Sequence, residues 1–471
     1  MDMEQAITSL ATTRPTFYRW LRAGRITGVK IGRQWRFRRD DIERVLRGES
    51  PRIDLPSDIK PLIATLQKRL DGHASPPTGD LVLKASELAI RLAIALKATD
   101  LHLLPLPGTG SLQLRVDGVL VEIARFDPKL LGLLADRFKS FAAMDLTIRD
   151  RAQDGRVTLT IDQQRMTLMI TALPCVHGEC VVARLHDLSM ALPTLEAMAL
   201  SSRDHGLLKR SLACGSGLLV FTGPTGSGKT TTMYACAAAS ATPAQRLVSI
   251  ERFMPFDLPQ AVHVHVDAAN GMGYAACLRA VVRVDPDIIV VDELRDREAL
   301  EAATECSLTG HLVLTAQHAP DAIGALRHLA VLGHGNDAVL DELTLVWAQR
   351  FVRRLCAQCA VSAPIAGAAV RRVETLLGKG ATAKSKTRRA PGCPACRTTG
   401  FQGRMMIGEV LEVTRELRAA LRQSATDQEL RRIATSQGFT GMACDGVRKA
   451  LAGLTTLDEV WRFAPLPEQP A

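Results

Sequence analysis

The chain has 471 residues, of which 46% are hydrophobic and 23% charged, and this balance is typical of a globular protein with several domains. No apolar run reaches about 18 residues, and the chain does not open on a basic stretch followed by an apolar one. These features argue against a membrane-spanning helix and a signal peptide, so we expect a cytoplasmic protein. The net charge of +10 favours an acidic partner, either nucleic acid or an anionic membrane surface.

Residues 1–50 predict a small basic module of three helices with a hairpin around Gly32 and Arg33. The stretches Thr13–Leu21, Val29–Arg33 and Trp35–Phe37 resemble the winged helix-turn-helix of the excisionase and mercury-regulator type. If this module binds DNA, the contacts would come from arginines on its second helix and its wing. These are Arg14, Arg19, Arg22, Arg33 and Arg36. The alternative is a module that docks another protein and carries the arginines on a solvated face.

Residues 51–80 are rich in proline, glycine and serine, and they are predicted to be a linker with one amphipathic piece at Leu62–Leu70. Residues 81–186 then predict an α/β domain of two helices and six strands. Three stretches of this domain resemble the type II secretion and type IV pilus assembly ATPases. They are Arg115–Leu120, Gln153–Arg156 and Leu173–Glu179.

In the family that these stretches resemble, this PAS-like domain lies over the nucleotide and contributes arginines to the γ-phosphate. The resemblance gives that role to Arg156, and it implies a second arginine at the position where Met169 stands. The departure at Met169 puts full activity in question, because an arginine finger can be worth orders of magnitude in rate. Arg156 could also be a turn arginine with a surface ion pair.

A strand, a glycine-rich loop and a helix follow one another near residue 225. Gly217–Phe221 predicts a buried strand, and the next residues fill every fixed position of the phosphate-loop pattern. The glycines let backbone N–H groups point at a phosphate, and the helix N-terminus adds positive charge. The predicted nucleotide-binding residues are Gly223, Pro224, Thr225, Gly226, Ser227, Gly228, Lys229, Thr230 and Thr231. Lys229 would reach the β- and γ-phosphates, and the Thr230 hydroxyl would hold Mg²⁺.

Acidic side chains follow two further apolar strands in the predicted motor domain, residues 187–355. Glu251 ends the first, and Asp292 and Glu293 end the second. Asp292 could hold Mg²⁺ through water, and Glu293 could orient the attacking water and accept its proton. The alternative is a solvated strand end. The resembled family pairs Glu251 with an Asp, where this chain has Arg252, and it usually has Gly at position 292.

Two histidines and two arginines complete the predicted site. His311 and His318 flank the apolar strand Leu312–Leu314. The resemblance implies that both belong to a histidine box that senses the γ-phosphate, although they could simply be strand-end residues. Arg279 and Arg283 match family arginines that bridge subunits.

Four of the eleven cysteines are paired by spacing, as Cys356 with Cys359 and Cys393 with Cys396. Each Cys-x2-Cys pair can place two sulfurs on one tetrahedral ion, so a structural Zn²⁺ site is predicted, with a redox pair as the rival. Between the pairs, Val370–Leu377 predicts a helix, and Lys379–Arg389 predicts a flexible basic stretch. The resemblance associates this subdomain with secretion and pilus-assembly motors.

The predicted fold is therefore an α/β protein with a RecA-like P-loop core at 187–355. It would be preceded by the helix-turn-helix and the PAS-like domain, and followed by a cysteine subdomain at 356–404 and a strand with helices at 405–471. The resemblance implies a hexameric ring that hydrolyses ATP with Mg²⁺, peripheral at the cytoplasmic face of the inner membrane, where it passes force to a platform protein. The alternatives are a nucleotide-binding scaffold with weak turnover and a DNA-binding, ATP-gated regulator.

Overall fold

The computed structural model describes residues 1–22, 26, 28–31, 34–46, 58–70, 80–188, 192–254, 256, 258, 260–382 and 387–464. The chain divides into two compact units, residues 1–190 and residues 191–471. Among the described residues, no helix combines the length and the apolar character needed to span a bilayer. Each unit has hydrophobic cores of its own.

The first unit begins with the predicted three-helix module. Its elements are α1 (Met3–Ser9), α2 (Arg14–Arg22), β1 (Val29–Ile31), β2 (Gln34–Arg36) and α3 (Arg39–Leu46). Strands β1 and β2 form an antiparallel hairpin, and Phe17, Phe37 and Ile42 are buried between the elements. The predicted helices and wing are thus confirmed, except that Arg33 lies outside the described residues.

A helix within residues 51–80 packs where a linker was predicted. Helix α4 (Lys60–Arg69) buries Leu62, Ile63 and Leu66 in the core of the domain that follows. The amphipathic piece predicted at Leu62–Leu70 is thus a helix, and it packs into the core of the domain that follows.

That following domain has a six-stranded antiparallel sheet in the order β5-β4-β3-β8-β7-β6. Its elements are α5 (Leu81–Ala95), β3 (Ala98–Leu106), β4 (Thr109–Val116), β5 (Val119–Phe126), α6 (Pro128–Phe141), β6 (Gln153–Ile161), β7 (Gln164–Cys175) and β8 (Gly178–Asp187). Inside it, Lys139 is fully buried and its Nζ donates to Glu179 Oε1 at 2.7 Å and to the Ile148 carbonyl at 2.8 Å. The two helices and six strands match the prediction.

The second unit is built on a seven-stranded sheet in the order β11-β10-β12-β13-β9-β14-β17. Its first elements are α7 (Ser202–Ala213), β9 (Gly217–Thr222), α8 (Lys229–Ser240), β10 (Leu247–Glu251), β11 (Ala261–His265), α9 (Tyr274–Val281), β12 (Ile288–Val291), α10 (Arg297–Leu308), β13 (Leu312–Gln317), α11 (Ala322–Leu332), α12 (Asp337–Glu342) and β14 (Leu343–Leu355). All neighbouring strands are parallel except the pair β14 and β17. The carboxyl ends of the parallel strands therefore share one edge of the sheet, which we call the catalytic edge.

The rest of the chain returns to the same sheet. Its elements are β15 (Val361–Ala363), α13 (Gly367–Leu377), β16 (Thr387–Arg389), β17 (Phe401–Glu412), α14 (Arg415–Arg422), α15 (Asp427–Ser436), α16 (Met442–Leu451) and α17 (Leu457–Phe463). Strand β16 pairs with β15, so the end of the predicted flexible stretch is a strand instead. Strand β17 pairs with β14 from Phe401 onward, which carries the main sheet into the residues predicted as the cysteine subdomain.

Candidate active site and metal centre

The predicted phosphate loop joins β9 to α8 at the catalytic edge. Its glycines adopt positive φ angles, +145° at Gly223, +77° at Gly226 and +87° at Gly228. A Cβ on Gly223 would lie 2.4 Å from the Gln349 carbonyl oxygen, whereas a Cβ on Gly226 would meet nothing within 4 Å. Pro224, Thr225 and Gly226 form an exposed crest, and Thr230 and Thr231 are half-buried in the first turn of α8. The helix N-terminus behind this crest is a site for an anion.

Lys229 lies under the loop with its ammonium directed at the loop's own oxygens. Its Nζ donates to the carbonyls of Gly223 at 2.8 Å and Pro224 at 3.0 Å. Nζ is also 3.4 Å from His318 Nδ1. Burial lowers the pKa of Lys229 to about 8, although the charge of Glu293 opposes this shift. A phosphate accepting from this ammonium would favour its charged form.

Glu293 contacts the other ring nitrogen of His318. Its Oε1 lies 3.3 Å from His318 Nε2, and its Oε2 accepts from Arg295 Nε at 2.8 Å. His318 therefore bridges Lys229, which begins the helix after β9, and Glu293, which follows β12. Three residues predicted separately from the sequence are thus brought together at the catalytic edge, and Arg295, which the sequence reasoning missed, fixes the Glu293 carboxylate.

Two further carboxylates at this edge are buried with open acceptor oxygens. Both Glu251 oxygens and Asp292 Oδ1 are buried and accept no hydrogen bond from any described residue, and the buried Ser227 Oγ is likewise without a partner. Burial, and then the charge of Asp292, raise the pKa of Glu251 to about 8, and burial raises the pKa of Asp292. Mg²⁺ binds carboxylate oxygens and water. The open oxygens of Glu251 and Asp292 therefore fit the predicted Mg²⁺, whose charge would balance that of the two carboxylates.

Sequence reasoning also missed a residue that supports the loop from the side. Gln349 lies in the middle of β14 and is fully buried. Its Nε2 donates to the Ser227 carbonyl at 2.8 Å, and its own carbonyl limits the space beside Gly223. No motif in the sequence marks Gln349, because its role depends on the place of β14 beside β9 in the sheet.

The structure does not bring His311 to this group. His311 precedes β13, whereas His318 follows it, so the two lie at opposite edges of the sheet. His311 Nδ1 is 2.7 Å from the Cys306 carbonyl and 3.0 Å from Thr309 Oγ1. Within one chain the histidine therefore has the strand-end role that was its alternative interpretation.

Three predicted arginines lie on exposed surfaces. Arg279 on α9 and Arg283 after it are exposed, as a contact with another subunit would require. Arg156 is exposed on β6 of the first unit and lies directly opposite Met169 of β7 in the antiparallel register. Opposed residues point to the same face of a sheet. Met169, where the resemblance implies an arginine, is thus the cross-strand neighbour of Arg156.

The arginines proposed for DNA have mixed positions. Arg14, Arg19 and Arg36 are exposed. Arg14 lies 3.8 Å from Glu4, and Arg36 donates to Gln34 at 3.1 Å. Arg22 ends α2, but its side chain, like Arg33, lies outside the described residues.

The four paired cysteines converge. The sulfurs of Cys356, Cys359, Cys393 and Cys396 all lie within 4.8 Å of one another. Three of the Sγ–Sγ distances are 3.7, 3.8 and 3.9 Å. Tetrahedral Zn²⁺ with bonds of about 2.3 Å requires sulfurs about 3.8 Å apart, while a disulfide needs about 2.05 Å. The cluster therefore fits Zn²⁺, and these sulfur pairs lie well beyond disulfide bonding distance.

Backbone amides support the thiolate form of Cys396, whereas burial and the other three sulfurs raise the pKa of Cys359 to about 12. The N–H groups of Cys393 and Gly400 donate to Cys396 Sγ at 3.1 and 3.2 Å. Burial would raise the pKa of Cys396, but these hydrogen bonds lower it to about 6. Gly392 and Gly400 have φ angles of +96° and +76°, which suit the tight turns of a metal knuckle.

The comparisons with known proteins agree with this geometry. Residues 79–462 match the family described as Type II/IV secretion system protein, and residues 1–50 match a helix-turn-helix domain. A putative type II secretion system protein E of Escherichia coli is 35% identical over 384 residues, which cover 81% of this chain and 77% of that protein. The type II secretion system ATPase E of Vibrio cholerae is 33% identical over 383 residues, covering 81% and 75%.

Solved structures share the fold. The ATPase DotB of Legionella pneumophila has a TM-score of 0.59 at 19% identity, covering 82% of this chain and 96% of that one. The pilus retraction motor PilT with bound ADP has a TM-score of 0.54 at 20% identity, covering 81% and 97%. The predicted α/β P-loop architecture is thereby confirmed.

Proposed function

We propose that this chain, which belongs to the Type II/IV secretion system protein family and is a P-loop ATPase, powers protein secretion or pilin assembly from the cytoplasmic face of the inner membrane. The observation that carries this proposal is the chain of contacts from Lys229 through His318 to Glu293 at the catalytic edge. It joins the group that would bind the γ-phosphate to the group that would activate water.

In the proposed reaction, Glu293 orients a water molecule whose oxygen bonds to the γ-phosphorus. The bond between that phosphorus and the β–γ bridging oxygen breaks, and the water proton passes to Glu293. His318 and Arg295 hold the two Glu293 oxygens, which leaves the carboxylate little freedom to turn away. Thr230, Asp292 and Glu251 would hold Mg²⁺, which would supply charge neutralisation on the phosphate oxygens.

The partners of this motor follow from the same family membership. We expect a homo-oligomeric ring, most simply a hexamer, in which the exposed Arg279 and Arg283 face the neighbouring subunit. We also expect the ring to be peripheral at the inner membrane and to pass force to a platform protein there. The four cysteines would hold one structural Zn²⁺, since no position of the cluster is left open for water.

The experiment is Mg²⁺-ATP hydrolysis by the full chain beside Glu293→Gln, with size exclusion run with and without nucleotide. Glu298→Gln, an exposed carboxylate at the start of α10, is the matched control. We expect turnover in a ring-sized species that vanishes only in Glu293→Gln. Tight ATP binding without turnover in the wild-type chain would instead favour a nucleotide-gated scaffold, for which Arg252 and Met169 would be the reason.

A second function is favoured by the surface of the helix-turn-helix. Arg14, Tyr18 and Arg19 are exposed on α2, which is the helix that would enter the major groove. Binding of the full chain to duplex DNA should then weaken steeply with salt and should be reduced by Arg19→Glu. Lys68→Glu, on the exposed side of α4, is the control. If no duplex binds at low salt, while a membrane partner binds this module, the module is a docking domain.

A further inference from the structure

A short segment joins His318 to helix α11, and side chains from other elements hold it in place. It consists of residues 318–322, which follow β13 and which we call the histidine segment. Arg350 of β14 donates from its Nη2 to the Pro320 carbonyl at 3.2 Å. Shorter contacts lie at the far end of the segment, where α11 begins.

Glu409 of β17 is a buried carboxylate at that far end, with only 2% of the residue exposed. Its Oε1 accepts from the N–H of Ala322, the first residue of α11, at 2.7 Å. Its Oε2 accepts from the N–H of Met442, the first residue of α16, at 2.7 Å. The N-cap of α16 is Gly441, which has no side chain to cap the helix. One carboxylate therefore serves the N-termini of two helices, where a negative charge is favoured.

A second contact fixes the same end of the histidine segment. Asp321 caps α11 by accepting from the Gly324 N–H at 2.8 Å, and its other oxygen accepts from Arg431 Nη2 of α15 at 2.5 Å. The last two residues of the segment are thus bound to α15 and β17. Both elements come after the cysteine cluster in the chain, in a region without any predicted site residue.

We propose that Glu409, together with Arg431, is a positioning residue for His318 in the proposed ATPase cycle, on which this inference rests. The ring nitrogens of His318 lie 3.4 Å from Lys229 Nζ and 3.3 Å from Glu293 Oε1, at the long end of hydrogen-bond distances. A small shift of the histidine segment would therefore break both contacts. Because the phosphate loop keeps its own contacts, loss of Glu409 should lower kcat more than it weakens nucleotide binding.

The test compares the full wild-type chain with Glu409→Ala. We expect kcat to fall by about 10- to 100-fold, since a misplacement of about 1 Å can cost about 10²-fold, while ADP affinity stays within about threefold. Carbethoxylation of His318 by diethyl pyrocarbonate, followed by mass spectrometry, gives a readout besides activity. Relative to the exposed His328 of α11, it should become faster once the ring nitrogens lose their partners. Glu412→Ala, an exposed carboxylate on β17, is the matched control.

A second substitution separates this role from a purely structural one. Gly441 has an extended backbone, with φ −68° and ψ 162°, so an aspartate at this position can cap α16. Adding Gly441→Asp to Glu409→Ala should recover much of the lost melting temperature. The kcat and the reactivity of His318 should stay as in Glu409→Ala, because the N–H of Ala322 still lacks its acceptor. Recovery of kcat together with the melting temperature would overturn the inference, since Glu409 would then only stabilise the fold.

Arg431→Met tests the same inference where Glu409→Ala does not fold. It removes the other contact at the far end of the histidine segment, so it should lower kcat and raise the reactivity of His318, less strongly than Glu409→Ala. Wild-type kcat and wild-type His318 reactivity in Glu409→Ala, or in Arg431→Met if only that variant folds, would overturn the inference and leave the proposed function intact. A wild-type chain that binds ATP without turnover would overturn both.

Discussion

Two glycines of the phosphate loop have the same sign of φ but very different surroundings, and this contrast gives a quantitative prediction. At Gly223 an alanine Cβ would lie 2.4 Å from the Gln349 carbonyl oxygen, and at Gly226 it would meet nothing within 4 Å. Real Cβ contacts are almost never shorter than 3.0 Å, so the loop or the strand must move by at least 0.6 Å, which is 3.0 minus 2.4. Strand β14 is hydrogen-bonded on both sides, so the loop is the part that moves.

The cost of each substitution follows from these numbers. Gly226→Ala only forces an alanine into a left-handed backbone conformation, which costs about 1–2 kcal/mol. If all of this strain were felt in catalysis, kcat/KM for ATP would fall about 5- to 30-fold. Gly223→Ala introduces about 1–3 kcal/mol of backbone strain and also displaces the loop. A shift of about 1 Å at a reacting centre can lower the rate about 10²-fold. We therefore expect kcat/KM for ATP to fall by at least about 10² in Gly223→Ala and by far less in Gly226→Ala.

The assay is steady-state hydrolysis together with titration of a fluorescent ATP analogue. The melting temperature without nucleotide, measured for both variants, shows whether each chain still folds. If Gly223→Ala binds and turns over ATP as well as Gly226→Ala does, then Gln349 does not limit the loop, and this account of the site is refuted.

Two further predictions concern a buried ion pair of the first unit and the cysteine cluster of the second. Lys139→Met should destabilise the first unit by about 3–5 kcal/mol, because it leaves the Glu179 carboxylate buried without its lysine partner. The loss should be nearer the lower value, since Arg149 also pairs with Glu179. Urea unfolding measures this beside Lys129→Met, an exposed control. An equal midpoint for the two variants would contradict it. Cys393→Ser should lose the one bound Zn²⁺ per chain that metal analysis is expected to find, whereas Cys175→Ser, outside the cluster, should keep it. Unchanged Zn²⁺ in Cys393→Ser would show that the ion lies elsewhere.

Much of the site could be predicted because its signals are local in the sequence. The phosphate loop is one continuous stretch, and Glu293 and His318 each end a strand whose apolar pattern is readable without the fold. Parallel strands bring their carboxyl ends to one edge, so these residues meet once the strands are aligned. The same rule explains His311, because a six-residue strand is about 20 Å long and its two flanking residues must lie at opposite edges.

Other features depend on contacts between distant parts of the chain. Lys139 and Glu179 form a buried pair although they are 40 residues apart in the sequence, and neither lies in a local pattern that predicts the pairing. Gln349 supports the loop across 122 residues. Helix α4 looks like linker by composition, and only the apolar surface it covers shows that it belongs to a core. Such pairings follow from how the elements pack, which neither periodicity nor spacing encodes.

The long strand β14 has a consequence for how the second unit responds to nucleotide. Its middle residue Gln349 abuts the phosphate loop, and its last residue Leu355 directly precedes Cys356 of the cysteine cluster. Its ladder with β17 runs from Leu345 to Leu355, with a register shift between Arg353 and Leu355, so one strand connects the residue that contacts the phosphate loop to the cysteine cluster. Between Leu345 and Arg353 the strand cannot bend without breaking hydrogen bonds of this ladder. A displacement of Gln349 would therefore be passed along the strand toward Cys356.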